Sequence, residues 1–426
     1  MALTLLENAN LINPETGTEK KGSLLIENGF IKEIGAKIKV PAASFKTIDC
    51  EGKCLAPGII DIGVKVCEPG ERHKESYNSA GKAAVAGGVT TIVTRPDTVP
   101  VIDTPETLEF IRRRANESAP IHVLPLAALT KGREGQKMTE IGFLQDAGAV
   151  GFTDCDKVVL DTKILSRVLT YAKSLGALVI GHPQDPYLSN KAAITSGKFA
   201  SLRGLRSVSP IAEKIGLDRD LSLIEMTGVA YHFDQITTAC ALQSLIKAKA
   251  DGLDITAGTS IHHLTLNEFD VGDYRTFFKI KPPLRSEEDR ISIIQALNDG
   301  TIDIISSMHT PQDEESKRLP FEEAASGAVG LETLLPAALR LYHAQMLDLP
   351  TLFRVMSLNP AKRLGLPAGR LKAGAPADLV LFDPNKPFVL SRFELLSKSK
   401  NTPFDEARMQ GKVHRTFVGG IEVFAQ

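Results

Sequence analysis

The pattern of hydrophobic and polar residues changes twice along the chain, near residues 55 and 365. Short β-like runs occupy both ends, and the turn pairs Asn28-Gly29 and Gly419-Gly420 separate neighbouring runs. Such turn pairs between β-like runs are typical of hairpins. The predicted terminal strands are Leu3–Leu6, Ser23–Glu27, Phe30–Ile34, Asp378–Phe382, Lys412–Val418 and Ile421–Phe424.

Between the ends, apolar β-like runs alternate with helical stretches, which predicts βαβ units and a parallel sheet. About eight units fit between residues 55 and 345, the size of a (β/α)8 barrel. No GxGxxG motif follows the first run, so a doubly wound dinucleotide-binding sheet is not supported. The predicted barrel runs are Ile59–Val66, Val89–Thr94, His122–Leu126, Val150–Thr153, Ala177–Gly181, Leu221–Glu225 leading to Gly228–Phe233, Leu253–Ala257 and Ile302–Ser306.

The predicted fold class is therefore α/β, with a (β/α)8 barrel over residues 55–365 and a small β-sandwich built from both termini. The terminal strands have no partners within their own segments, so the simplest solution pairs residues 1–54 with residues 366–426. Three later helices near residues 337–364 are expected to close the barrel.

Charge and composition exclude several classes of protein. The chain has 426 residues and balances 50 Lys+Arg against 51 Asp+Glu, so no global basic field favours nucleic acid or an anionic membrane. No apolar run approaches the roughly 20 residues that span a bilayer, and the N-terminal residues do not resemble a signal peptide. The five cysteines are widely spread without a CxxC pair, as expected for reduced thiols in a cytoplasmic protein.

Catalytic side chains of such barrels lie at the C-terminal ends of the strands. Several of the nine histidines fall there, but a lone histidine is more often structural, and the first strand end has none. The residues alone therefore leave the case for a metal incomplete. Two segments carry basic residues, Gly204–Arg206 and Lys279–Arg285. They either bind an anionic ligand or form ordinary solvent-exposed surface. The histidines at strand ends are His182, His232, His262, His263 and His309.

Several segments, in order along essentially the whole chain, resemble the dihydroorotase family of the amidohydrolase superfamily. This resemblance implies the barrel with its terminal β unit, and hydrolysis of a cyclic amide in pyrimidine synthesis with zinc. The segments that carry it are Leu55–Asp61, Cys67–Gly70, Lys74–Ser76, Ala83–Ile92, Arg95–Pro100, Lys281–Arg285, Glu288–Arg290, Gly327–Thr333, Asn359–Gly365 and Ala375–Asp383.

The metal and base positions depart from the pattern of that family. Its His-x-His pair corresponds to Gly63 and Lys65, a further metal histidine to Gln235, and the general-base aspartate to Met308. A zinc site needs three or four good ligands, so these changes predict that no metal is bound. Only three ligand-type side chains of the family's constellation remain: Asp154, His182 and His309.

The substrate positions depart as well. Cys67 stands where the family has a substrate-binding arginine, and Asp97 where it has an asparagine. At the metal site, Cys155 interrupts the family's Asp-Asp-Gly motif. We expect all these positions to converge at the barrel mouth. We also expect the Lys65 ammonium to pair with a pocket carboxylate there, Asp154 in the first place and Asp97 in the second.

Two functions remain open. The first is a catalytically inactive dihydroorotase-like subunit, without a cofactor, that helps assemble aspartate carbamoyltransferase, as the resemblance implies. The second is a working zinc-dependent dihydroorotase, or a relative acting on allantoin or hydantoins, whose single metal is held by Asp154, His182 and His309, with Cys155 as a further candidate. A homo-oligomer, a dimer in the first instance, is expected in either case.

Overall fold

The structure, a computed structural model, describes residues 3–39 and 45–426. Its strands are β1 (Leu3–Asn13), β2 (Thr18–Glu27), β3 (Phe30–Gly35), β4 (Lys46–Asp49), β5 (Cys54–Pro57), β6 (Ile59–Val64), β7 (Val89–Thr94), β8 (His122–Pro125), β9 (Val179–Gly181), β10 (Ile194–Thr195), β11 (Ser207–Val208), β12 (Tyr231–Phe233), β13 (Ile255–Ser260), β14 (Ile304–Ser306), β15 (Leu379–Val389), β16 (Arg408–Val418) and β17 (Ile421–Ala425).

The helices lie mostly between the barrel strands. They are α1 (Tyr77–Ala86), α2 (Pro105–Ser118), α3 (Ile141–Asp146), α4 (Thr162–Ser174), α5 (Lys198–Arg203), α6 (Ile211–Thr227), α7 (Ala239–Ala250), α8 (Ile261–Thr265), α9 (Glu287–Asn298), α10 (Glu314–Lys317), α11 (Leu334–His343), α12 (Leu349–Phe353) and α13 (Asn359–Arg363). Among the described residues, no helix is long and apolar enough to cross a membrane.

The central strands form a parallel barrel. β6, β7 and β8 pair in that order, and β9, β12, β13 and β14 form a second parallel run. Phe152 joins the two runs through bridges to Ala127 and Val179, and so acts as the fourth strand. The barrel closes between β14 and β6, where the buried Asp61 accepts hydrogen bonds from the backbone and hydroxyl of Ser307. The predicted (β/α)8 barrel is confirmed.

Both chain termini contribute to one sheet. Its strand order is β17-β16-β15-β5-β1-β2-β3. β4 pairs with residues 4–7 of β1, ahead of the part of β1 that pairs with β5. β5 is the link between the halves, because it pairs with β1 on one side and with β15 on the other. The sheet has its own core, which includes Leu24, Leu55, Leu379 and Phe417. The prediction that the two termini share one small β unit is confirmed.

One predicted strand is wrong. Leu221–Glu225 belongs to helix α6, which runs from Ile211 to Thr227. A short apolar run does not distinguish a buried strand from a buried helix. The spacing does distinguish them here, because the buried residues Leu217, Leu221 and Ile224 recur at helical intervals on the face that packs into the core.

A buried ion pair fixes α6 to the loops at the barrel mouth. Glu213, on the first turn of α6, is fully buried and lies 3.3 Å from the Arg285 guanidinium. Its carboxylate also accepts hydrogen bonds from the backbone amides of Thr237 and Thr238, at 2.8 and 2.9 Å. Arg285 donates in turn to the Thr195 hydroxyl, at 3.2 Å. The Glu213 carboxylate therefore holds Arg285 and the loop after β12, and Arg285 extends the contact to β10.

We predict that Glu213→Gln destabilises the protein by about 3–5 kcal/mol, because it leaves the buried Arg285 without its counter-charge. Urea denaturation followed by circular dichroism measures the change. Glu225→Gln is the matched control, since Glu225 lies on the same helix and is exposed. Equal midpoints for the two variants would contradict the structural role given to Glu213.

Candidate functional site

Two cations meet one carboxylate at the mouth of the barrel. Lys65 follows β6, and its Nζ lies 3.3 Å from Asp97 Oδ2. Arg95 follows the adjacent strand β7, and its Nη2 lies 2.9 Å from the same oxygen. Burial favours a neutral Arg95, but the nearby carboxylates, Asp97 foremost, outweigh it and raise the pKa of Arg95. The centre of the mouth therefore holds fixed positive charge.

Asp154 does not take part in this cluster. Its Oδ1 accepts hydrogen bonds from the amides of Leu129 and Thr130, both at 3.0 Å, and its Oδ2 accepts from the Thr130 hydroxyl at 2.5 Å. The expectation that Lys65 pairs first with Asp154 is therefore wrong, and Asp97 is its partner. The loop after β8 already satisfies Asp154, whereas Asp97 Oδ1 has no hydrogen-bond partner within the described ranges.

Met308 fills the space above Gly63. A side chain at Gly63 would meet the Met308 sulfur at 3.0 Å, and Gly63 has a positive φ of 90°, which favours glycine. Both residues line a cavity of about 20 Å³, together with Arg95 and Cys155. A cavity of that size has room for about one water molecule, so packed side chains fill the barrel centre.

His182 keeps one ring nitrogen free. Its Nδ1 lies 3.1 Å from Asp234 Oδ1, and its buried Nε2 has no partner among the residues that the structure describes. With Asp154 and Cys155 it lines a second cavity of about 20 Å³. Gln235, which follows Asp234, instead donates to the Lys281 carbonyl at 3.4 Å.

His309 faces the barrel wall. Its Nδ1 accepts a hydrogen bond from the Gly330 amide at 3.1 Å, which leaves the ring proton on Nε2. That Nε2 lies 3.4 Å from the fully buried Glu75 carboxylate. Burial would raise the pKa of Glu75, but its contacts with His309, Ser397 and Ser79 outweigh burial and lower it. His309 is thus paired with a structural carboxylate.

The two cysteines at the mouth are protonated thiols. Burial is the main cause that raises the pKa of both Cys67 and Cys155 to about 12. A thiolate is the form that binds metal or attacks a substrate, so neither residue is a ready ligand or nucleophile.

The three remaining strand-end histidines are buried and neutral. Burial lowers the pKa of His232 and His263 to about 3 and that of His262 to about 4. His232 Nδ1 lies 2.9 Å from the Thr256 hydroxyl, and His263 bridges Ser260 and the Pro282 carbonyl. These two have structural partners, and His262 packs its ring 5.8 Å from Phe404.

Comparisons with known proteins decide the family. A family model described as dihydro-orotase-like matches residues 52–241. A dihydroorotase of Wolbachia sp. subsp. Drosophila simulans is 39% identical over 98% of this chain and 95% of its own length. A dihydroorotase of Syntrophus aciditrophicus is 37% identical over 99% of both chains. The chain belongs to the dihydroorotase family.

A solved structure supports the fold. The L-hydantoinase of Arthrobacter aurescens superposes with a TM-score of 0.90 at 24% identity, covering 100% of this chain and 96% of that one. At that identity the likeness concerns the fold alone.

The residues of this dihydroorotase-family chain do not fit a zinc centre. In the described part of the chain, no three His, Cys, Asp or Glu side chains are grouped to hold a metal ion. Of the three retained ligand types, Asp154 has both carboxylate oxygens and His309 has Nδ1 engaged in hydrogen bonds. His309 Nε2 lies 3.4 Å from the buried Glu75 carboxylate, and His182 Nε2 has no partner among the described residues. Even these two nitrogens together fall short of the three or four donors that zinc requires.

Sequence reasoning missed Arg95, Asp234 and Glu75. Arg95 and Asp234 each directly follow a barrel strand, so the strand-end rule was the signal that could have found them. Glu75 lies in a loop before α1 and carries no comparable signal, because only the fold brings it to His309.

A larger cavity of about 810 Å³ opens beside the mouth, and the buried Lys279 forms part of its wall. Lys279 lines it and donates to the carbonyls of Glu322 and Ala324, at 2.8 and 2.7 Å. Behind it, Lys317 donates to the carbonyls of Thr276 and Lys279, at 3.0 and 3.2 Å. Burial first, and then the charge of Lys279, lowers the pKa of Lys317 to about 7.

We predict that Asp97→Asn destabilises the protein by about 3–5 kcal/mol, because it strands the largely buried Arg95 and also removes the partner of Lys65. Lys65→Met should have a smaller effect, since Arg95 still neutralises Asp97. Thermal denaturation of both variants measures the order, with the exposed Asp146→Asn as control. A larger loss of stability for Lys65→Met than for Asp97→Asn would contradict the view that Arg95 still neutralises Asp97 when Lys65 is absent.

We also predict that Lys317 makes stability depend on pH. In the unfolded chain this lysine holds its proton up to about pH 10, whereas in the folded chain it loses the proton above about pH 7. Between these values the unfolded state binds more protons, so the stability of the wild type relative to Lys317→Met should rise with pH. Urea denaturation midpoints at pH 6.5, 8 and 9.5 test this prediction. The control is Lys247→Met, at an exposed position, and its midpoint should differ from that of the wild type by the same amount at all three pH values.

Proposed function

We propose that this chain is a catalytically inactive dihydroorotase-family protein of pyrimidine biosynthesis, with a structural role in place of hydrolysis. The observation that carries the proposal is the Lys65–Asp97–Arg95 cluster at the barrel mouth. Two fixed cations disfavour a dication at the same place, by like-charge repulsion at short range.

The other changes at the mouth support the same conclusion. Met308 stands where the family has its general base, and a thioether cannot accept the proton that such a base removes. Cys67 is a buried, protonated thiol at the position of the substrate-binding arginine, and so offers no charge to a substrate carboxylate. Some metal ligands, the base and the substrate-binding groups are therefore replaced.

The structural role that we propose is assembly with aspartate carbamoyltransferase. It rests on the family resemblance and on the retention of the complete scaffold without its chemistry. The barrel, the terminal sheet and the Glu213–Arg285 pair remain intact. A chain that retains this scaffold without its catalytic groups still offers a surface that a partner protein can bind. The resemblance implies that this partner is aspartate carbamoyltransferase.

The alternative is an active zinc-dependent dihydroorotase or related cyclic amidohydrolase with a single metal. It is favoured by the curated relatives, which are named dihydroorotase at 37–39% identity, and by the free Nε2 of His182. It requires Asp154 and His309 to release their present partners and turn towards His182.

We predict no turnover of dihydroorotate by the purified chain, with or without added zinc, and a zinc content well below one ion per chain. The dihydroorotase of Syntrophus aciditrophicus, assayed in parallel, is the positive control. Lys65→His should also remain inactive, because Gln235 and Met308 still cannot complete the site. Zinc-dependent turnover that Asp154→Asn or His182→Ala abolishes would establish the alternative.

The assembly role is tested separately. We predict that the purified chain and aspartate carbamoyltransferase from the same cells elute together in size-exclusion chromatography, at a mass above that of either alone. Asp97→Asn disrupts the vestigial site and serves as the control, and it should assemble as well as the wild type wherever it is folded. Separate elution at micromolar concentrations of both proteins would overturn the assembly role. It would leave the proposal of catalytic inactivity unaffected.

A further inference from the structure

The cavity of about 810 Å³ lies beside the vestigial catalytic centre and shares His182 with it. The loops after β9, β13 and β14 form it. Of the ten positions that the family resemblance assigns to metal, base or substrate, only His182 lines it. Its volume lies in the range of about 300–1,000 Å³ that is usual for small-molecule sites.

The lining of this cavity carries an excess of positive charge. Four cationic side chains line it, against the two carboxylates Glu322 and Glu323. The pairing between the two sets is weak, because the Arg206 Nε lies 3.9 Å from Glu322 and the partner of Lys281 is Asp156, which does not line the cavity. The cations are Lys191, Arg206, Lys279 and Lys281.

The buried part of the wall adds uncompensated charge. Within residues 3–39 and 45–426, no carboxylate lies within 4.0 Å of the Lys279 ammonium group. This ammonium has three N–H donors and uses two of them on backbone carbonyls. Burying a charge without a counter-charge is costly, so an anion in the cavity would stabilise this wall.

The rest of the lining combines apolar and uncharged polar side chains. Pro282, Pro283, Pro320, Phe321 and Leu205 supply the apolar surface, beside Gln184, Ser189 and Ser326. Apolar surface next to a few placed polar and charged groups is typical of sites for organic molecules rather than bare ions.

We propose that this cavity binds a small organic anion, with a flat apolar body and a carboxylate or phosphate group that faces the Lys279 side of the wall. The two basic segments singled out in the sequence, Gly204–Arg206 and Lys279–Arg285, both contribute to it through Arg206, Lys279 and Lys281. The inference needs no catalytic activity and is independent of the assembly role.

Isothermal titration calorimetry with three probes of similar shape tests the proposal on the full chain. Phenyl phosphate and benzoate carry the two candidate anionic groups, and benzyl alcohol is the uncharged control. We expect saturable binding of at least one anion and none of the alcohol, and the preferred anion identifies the ligand as a phosphate or a carboxylate. Lys279→Met should weaken that binding about tenfold or more, as expected for loss of a charged hydrogen-bond partner.

Two further variants keep the test decisive. Arg206→Ala changes an exposed lining residue, so it should weaken binding even where Lys279→Met fails to fold. Lys247→Met, on α7 and outside the cavity, should bind as the wild type does. The proposal is overturned if no anion binds at millimolar concentration, if benzyl alcohol binds equally well, or if binding persists unchanged in folded Arg206→Ala and Lys279→Met.

Discussion

The charge balance of one buried carboxylate controls the barrel mouth. Asp97 is held between the Arg95 guanidinium and the Lys65 ammonium, at 2.9 and 3.3 Å. A carboxylate in such a place needs positive charge nearby, since desolvation alone opposes its ionisation. In the zinc enzymes that the family resemblance describes, metal ions supply positive charge at the mouth. Here two side chains supply it, and they are fixed to adjacent strands.

The remaining ligand-type residues have become part of the scaffold. Asp154 caps the loop after β8 through Thr130, and His309 joins the strand end to Glu75 and Gly330. These bonds follow from the requirement that buried polar groups find partners. They also make a reversal expensive, because a metal bound to the free nitrogen of His182 would have to break the hydrogen bonds of Asp154 or the contact of His309 with Glu75 before it gained a second ligand. The difference from the family's metal site therefore involves the hydrogen-bond partners of these residues as well as the substituted side chains.

Much of the fold could be predicted from the sequence, because hairpin turns and alternating β/α runs are local signals. Asn28-Gly29 and Gly419-Gly420 do separate paired strands. Leu221–Glu225 could not be placed by its apolar character, since helix and strand share that character and only the spacing decides. The partner of Lys65, Asp97, was ranked behind Asp154 for a different reason. It depends on which carboxylate already has donors, and Thr130 and Leu129 come to Asp154 only in the folded chain.

Zinc-soaked crystals measured at the zinc absorption edge test the central claim most directly. We predict no anomalous peak at the barrel mouth, with Arg95 and Lys65 both in contact with Asp97. A zinc peak bonded to His182 together with Asp154 or His309, with Lys65 displaced from Asp97, would contradict it.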